Sequence, residues 1–268
     1  MRLHVCLMPR HSDCPRAIRS NLTCEYRTMN WMSYSVVAAA VEAFDIHGPV
    51  AEYGAYRDVA HETSGVPDLR TLFDGVDYTG IDLNEGPGVD RLGDVTRPDH
   101  DDDSLGAYIC LDTLEHVASG DFDSVFAPLP RILKPGGLAI VTSVFSFRYH
   151  GTDQYVDYWR FSPTCMGHFL EAFPMRLYGG QGRRNLPQMT FALAQNPSPE
   201  TSDDRFLQQA ETFFNVLADH VAEGARRGLK GGPLRRFLRQ LKSEHVRHAA
   251  DLHVTALAGE ARREWSRG

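Results

Sequence analysis

The sequence has no apolar run approaching the roughly 18 residues needed to cross a bilayer. Its opening, MRLHVCLMPRHSDCPR, lacks the apolar stretch of a signal peptide. A cytoplasmic protein with no membrane partner is the expectation. The five cysteines (Cys6, Cys14, Cys24, Cys110 and Cys165) are odd in number and none forms a C-x-x-C pair. His4 and His11 lie near the first of them, but the spacing matches no common zinc pattern, so reduced thiols are the favoured reading. The G-x-G-x-x-G fingerprint occurs nowhere, which argues against a nicotinamide dehydrogenase. Basic charge is in deficit: 28 Lys and Arg stand against 35 Asp and Glu, a net charge of −7 that disfavours general nucleic-acid binding. Internal repeats and low-complexity tracts are also lacking.

What is present is ordinary for a folded domain: 42% hydrophobic, 24% charged and 10% aromatic residues over 268 positions. Met29 to Phe44 reads as a helix that Gly48-Pro49 ends. VAEYG, DYTGIDLN, AYICLDTL and LAIVTSVFS read as buried strands, with a helical stretch from Phe122 to Leu133 and the turn LKPGG between the last two. MRLYGGQ and TFALAQN read as a closing antiparallel hairpin. Strands alternating with helices predict an α/β fold with a doubly wound, mostly parallel sheet.

Pro197-Ser-Pro199 marks a boundary. Beyond it Phe206, Leu207, Ala210, Phe213, Phe214, Leu217 and Val221 recur at helical spacing, and Gly231-Gly232-Pro233 breaks that helix. Leu234, Phe237, Leu238, Leu241, Ala249 and Leu252 then read as a second helix. The expected organisation is an N-terminal extension (1–28), a domain over 29–197 and a helical appendage over 198–268. This helical hairpin packs on the core or on another subunit, the latter giving a homodimer. The basic run from Arg226 to Arg247 reads as a solvated helix face or as a docking surface for an anionic partner.

GIDLNEGPGVDRLGDV, LDTLEHV, RILKPGGLAIVTS and DYWRFSP stand in an order and spacing that give the chain a family likeness. From Met29 to Asn196 it resembles the class I S-adenosylmethionine (SAM)-dependent methyltransferases, within them the methyltransferase-11-like group. The resemblance implies a Rossmann-like, seven-stranded sheet, SAM as cofactor and methyl transfer to a small molecule, most naturally at oxygen, in tailoring or glycan biosynthesis. Two alternatives stay open: a SAM-binding protein of this fold with a non-methylating or non-catalytic role, and an RNA methyltransferase docking through the basic stretch.

In open parallel sheets ligands bind beyond the carboxyl ends of the strands. Asp82 closes the second strand, where a carboxylate can accept both ribose hydroxyls, with Leu83 beside it. Asp94 matches the family position that meets the adenine amino group, and Val95 offers an adjacent N–H. SAM carries no phosphate, so the first turn needs an acid and one glycine rather than three glycines; Glu52 and Gly54 supply them. Tyr56 and Arg57 share that turn. Arg57 reads either as the partner of the SAM carboxylate or as a surface arginine bridging to Asp58.

Asp112, Glu115 and His116 form D-x-x-E-H after the next strand. The resemblance implies two uses: Asp112 toward the cofactor, or all three as ligands of a divalent cation such as Mg²⁺, the less favoured alternative. His116 and His150 are the candidate bases for an acceptor proton. Tyr155, Tyr158 and Arg160 are candidate acceptor contacts, while Trp159 and Phe161 read as packing. Arg183, Arg184 and Asn185 lie in the loop before the final strand of the hairpin, where they either reach the mouth of the site or serve only as turn residues.

Overall fold

The computed structural model of the chain describes residues 31–57, 66–118, 121–145, 149, 151, 155–228 and 251–268. Helix α1 spans Trp31–Ala43 and strand β1 Val50–Tyr53. Next come β2 (Tyr78–Asp82), the short β3 (Arg91–Leu92) and β4 (Leu105–Leu111). The short helices α2 (Phe122–Phe126) and α3 (Leu129–Ile132) lead into β5 (Leu133–Val144). Helix α4 (Pro163–Phe169) precedes β6 (Met175–Arg183) and β7 (Leu186–Gln195). Helix α5 runs from Asp203 to Gly228, and β8 (Leu252–Ala258) and β9 (Ala261–Arg267) follow it.

The strands form one sheet in the order β3-β2-β1-β4-β5-β7-β6-β8-β9. Strands β3, β2, β1, β4 and β5 are parallel; every pairing from β5 to β9 is antiparallel. The doubly wound half and the β6–β7 hairpin are as the sequence predicts, but among the described residues the sheet has nine strands, not seven. The added pair is β8–β9, and it corrects the reading of Leu252. That residue starts a strand in which Leu252, Val254, Ala256 and Ala258 are buried in alternation, which is the period of a strand and not of a helix. The other residues of the expected second helix, Leu234, Phe237, Leu238, Leu241 and Ala249, lie outside the described residues, as does Gly231-Gly232-Pro233.

Two cores cover the two faces. On one, α1 and α5 pack against each other and over Val50, Ile109, Ile140, Leu177 and Val254. On the other, α2, α3 and α4 cover Ala51, Tyr53, Tyr108, Val141 and Ala192. Helix α1 is buried nearly all round, from Met32 through Ala40, which explains why its sequence is apolar without a polar face. Helix α5 is amphipathic, with Asp203 and Asp204 in its first turn, where the helix dipole favours negative charge. Its predicted stripe, Phe206 to Val221, is buried in the core of its own chain. At the far edge β9 exposes Arg262, Arg263, Glu264 and Arg267, a charged margin that opposes pairing with another strand.

Candidate active site

The strand order reverses between β1 and β4, so the chain leaves their carboxyl ends in opposite directions and opens a crevice there. The turn after β1 is tied on both sides. Gly54 and Ala55 donate their N–H groups to the Ile81 carbonyl at 3.0 and 3.1 Å, and Arg57 donates its own to Pro87 at 2.8 Å. Gly54 has φ +79°, and a Cβ at that position would collide with Oγ1 of Thr113, in the turn after β4. The single glycine therefore meets a backbone and packing demand of the protein.

Glu52 and Arg57 do not stand open at this turn. Glu52 is the penultimate residue of β1, so its side chain points to a sheet face and is 2% exposed. Arg57 folds in beside it, 8% exposed, and the two form a buried ion pair. Tyr78 donates its hydroxyl to the other oxygen, Oε2, at 2.6 Å. Burial alone would depress the Arg57 guanidinium, but the Glu52 charge more than offsets it and leaves the pKa above its ordinary value. Burial, then the charge of Glu52, pushes the Tyr78 phenol far up, so it stays a donor. The expected cofactor acid and its neighbouring arginine thus pair with each other beneath the turn, while Nε of Arg57 has no partner among the described residues. The alternative partner of Arg57, Asp58, lies outside the described residues.

Asp82 does end β2. Its Oδ2 accepts from the Tyr56 N–H at 3.3 Å, and its Oδ1 from the Asn84 N–H at 2.9 Å. With a longer bond of 3.4 Å from Asn84 Nδ2 to Oδ1, they aim the carboxylate along the rim while Oδ2 keeps further lone-pair capacity. Leu83 beside it is 67% exposed and Tyr56 40% exposed, two apolar surfaces flanking one acid. Asp94 accepts from the Thr96 N–H at 2.9 Å and its hydroxyl at 2.8 Å, a local turn, and Val95 is buried against the core.

The turn after β4 is the most polar part of the rim. Asp112 has φ +48°, and its carboxylate accepts from Ser33 Oγ of α1 at 2.7 Å and Thr142 Oγ1 of β5 at 2.9 Å. Glu115 is fully buried and accepts from Ser143 Oγ at 2.9 Å. Nδ1 of His116 lies 2.9 Å from the Val156 carbonyl, which can only accept, so this nitrogen carries a proton and Nε2 is the acceptor in the neutral ring. Ser33, Thr142 and Ser143 were not singled out from the sequence; the signal was polar residues inside the apolar runs WMSYSVV and LAIVTSV. Asp112, Glu115 and His116 are drawn to three different sets of partners. Among the described residues no three His, Cys, Asp or Glu side chains form a group that could hold a metal ion. In the D-x-x-E-H stretch Asp112 bonds Ser33 and Thr142, Glu115 bonds Ser143, and His116 faces the Val156 carbonyl.

Burial, and then the negative charge of Asp112, raises Glu115 to about 8. A folded-state value above the unfolded one means that the native state holds the proton more tightly. Stability is then full below the ordinary carboxylate value and falls as pH rises toward about 8. Urea denaturation across that window is expected to show the loss, and Glu115→Gln to flatten it; an unchanged slope in the variant would assign the pH dependence elsewhere.

The segment following β5 lies over this turn. Tyr158 donates its N–H to the Glu115 carbonyl at 2.8 Å, and the Tyr155 ring meets His116 edge-on at 4.4 Å between centroids. Tyr158 is 50% exposed. Arg160 is held by Asp157 through two bonds, one of 2.7 Å. Trp159 donates Nε1 to the Val117 carbonyl at 2.9 Å, and Phe161 packs against Phe122 and Phe169. His150 lies outside the described residues.

No protein-family model matches the chain, and no curated protein matches it. Solved structures do. One is the Burkholderia thailandensis 1,6-didemethyltoxoflavin-N1-methyltransferase with bound 1,6-didemethyltoxoflavin and S-adenosylhomocysteine (SAH), 16% identical over 62% of this chain and 79% of that one, with a TM-score of 0.45. Another is a DhpI–SAH complex, 19% identical over 62% of this chain and 86% of that one, TM-score 0.41. A third is the glycopeptide N-methyltransferase MtfA complexed with sinefungin, 14% identical over 62% and 87%, TM-score 0.42. Among the described residues no helix is long and apolar enough to cross a membrane.

Proposed function

We propose that the chain binds SAM along the carboxyl rim between β1, β2 and β4 and transfers its methyl group to a small-molecule acceptor, at oxygen. The observation that carries this reading is Asp82, a carboxylate ending β2 beside the switch point and aimed along the rim by two backbone N–H groups. In this reading Asp82 accepts the ribose hydroxyls, with Leu83 and Tyr56 flanking the nucleoside. Asp94 and Val95 serve its adenine, and Gly54 and Asp112 border its methionine end. SAM supplies an electrophilic methyl group, so the protein has to align an acceptor and take its proton. His116 is suited to receiving that proton, because the Val156 carbonyl fixes the hydrogen on Nδ1 and leaves Nε2 as the base. Tyr155 and Tyr158 border the space beside it, while Arg160 acts through Asp157 to hold that segment in place.

A second reading keeps SAM and drops the transfer. It is favoured by the mutual engagement of Glu52 and Arg57, which leaves neither to grip the methionine end. For the RNA-directed reading, most of the basic stretch lies outside the described residues. Titration calorimetry of the full chain with SAM and with SAH is expected to give saturable binding of both, and no heat from folded protein would overturn both SAM readings. Incubation of host extract with methyl-labelled SAM then separates them: a labelled small molecule supports transfer, and its absence beside intact SAM binding supports the second.

A further inference from the structure

A groove of about 550 Å³ lies away from the rim of β1, β2 and β4, on the sheet face that carries α4. Small-molecule sites typically run from about 300 to 1,000 Å³. Its floor is the antiparallel extension, with Tyr178 and Gly180 of β6 and His253 and Thr255 of β8, and its wall is the start of α4 together with the β6–β7 turn. Gly180 and His253 are partners in register, and the missing side chain at Gly180 lets Pro163 and Pro187 close in on that stretch of β6. Neighbouring strands lie about 4.8 Å apart, which puts the groove's strands β6 and β8 about 14 and 19 Å from β4. A ligand here is distinct from one at the switch point.

The chemistry of the lining is one-sided. Among the described lining residues Arg183, Arg184 and Arg262 stand against the single Glu264, in a chain whose net charge is −7. Glu264 organises two of the cations. It accepts from Arg262 through Nε at 3.0 Å and Nη2 at 2.6 Å, and it lies 3.5 Å from Nη2 of Arg184. One carboxylate thus gathers two guanidiniums and neutralises only one. The Arg184 side chain is 76% exposed, and a guanidinium has five N–H donors. Nδ1 of His253 is buried in the floor and has no hydrogen-bond partner among the described residues. Burial, then the positive charge of Arg184, lowers the His253 pKa, so the ring is neutral and can bond a hydroxyl. Thr164, Thr255 and Ser266 add hydroxyls to the same lining.

We propose that this groove binds a small polyhydroxylated molecule carrying an oxyanion, its phosphate or carboxylate held by Arg184 and Arg262 and its hydroxyls by His253 and the threonines. Charge-assisted bonds to a bidentate guanidinium are the strong class of hydrogen bond, which sets the expected effect. The test is calorimetry on the full chain at low salt with glucose 6-phosphate, gluconate and inorganic phosphate as probes. Saturable binding of at least one is expected, weakened about tenfold or more in Arg184→Ala/Arg262→Ala and about as strong as wild type in Arg205→Ala, a loss of the same charge on exposed α5. Glucose 6-phosphate binding more tightly than phosphate would support the hydroxyl contacts and phosphate as the anion; gluconate binding best would assign a carboxylate. Silence with all three probes at millimolar concentration would overturn the proposal, as would equal losses in the groove variant and in Arg205→Ala. Asp82→Ala should leave this binding intact, so the groove stands or falls apart from the methyl-transfer reading.

Discussion

Asp82→Ala is expected to weaken SAM and SAH binding by about 10- to 100-fold, the range for losing hydrogen bonds to a charged group. The carboxylate ends β2 at the rim, and its bonds from Tyr56 and Asn84 fix its direction without consuming its acceptor capacity. Removing it also releases two backbone donors at an exposed position, where water replaces the lost bonds at a cost of about 1 kcal/mol or less. The variant should therefore fold, with its thermal transition little changed, while the calorimetric affinity collapses. Asp82→Asn keeps the shape and one carbonyl oxygen and should fall between the two. Wild-type affinity in Asp82→Ala would remove the ribose role and with it the main support for the proposed function.

The largest stability effect is expected from Arg57→Met. The variant leaves Glu52 charged and buried with, among the described residues, the Tyr78 hydroxyl as its remaining hydrogen-bond partner, and breaking a buried pair in this way costs about 3–5 kcal/mol. Exposed pairs behave differently: Arg131 and Asp102 are 49% and 73% exposed, and a pair of that kind contributes about 0–1 kcal/mol. Combining Glu52→Gln with Arg57→Met removes both charges and should recover a good part of the loss. Urea denaturation of the two single variants and the double reads this directly. Should Arg57→Met unfold within about 1 kcal/mol of wild type, the pair would not be the internal brace that its burial implies.

Much of the fold was legible because buried parallel strands are apolar runs: VAEYG, AYICL and LAIVTSV announce themselves, and so does the stripe on α5. Strand β9 was not, since ARREWSR is a charged edge with little apolar alternation, and Leu252 follows residues spaced like a helix. At the site, strand-end placement singled out Asp82, which does end β2 at the rim, whereas Asp94 came from the family likeness. The pairing of Glu52 with Arg57 was hidden, because spacing across a turn does not say whether an arginine leans outward or folds back. The D-x-x-E-H spacing likewise does not disclose its partners: Ser33 and Thr142, which bond Asp112, and Ser143, which bonds Glu115, come from distant parts of the chain.

Gly54 and Thr113 leave no gap between the turns that flank the switch point. Pressed together in this way, the two turns behave as one preformed jaw. A guest arriving there loses little freedom of the host in settling, and selection for tight binding can act on its chemistry instead of on the stiffening of loops. Sequence change at residue 54 is then barred twice, by its left-handed backbone and by the Thr113 hydroxyl, so a smaller residue 113 alone does not open the position.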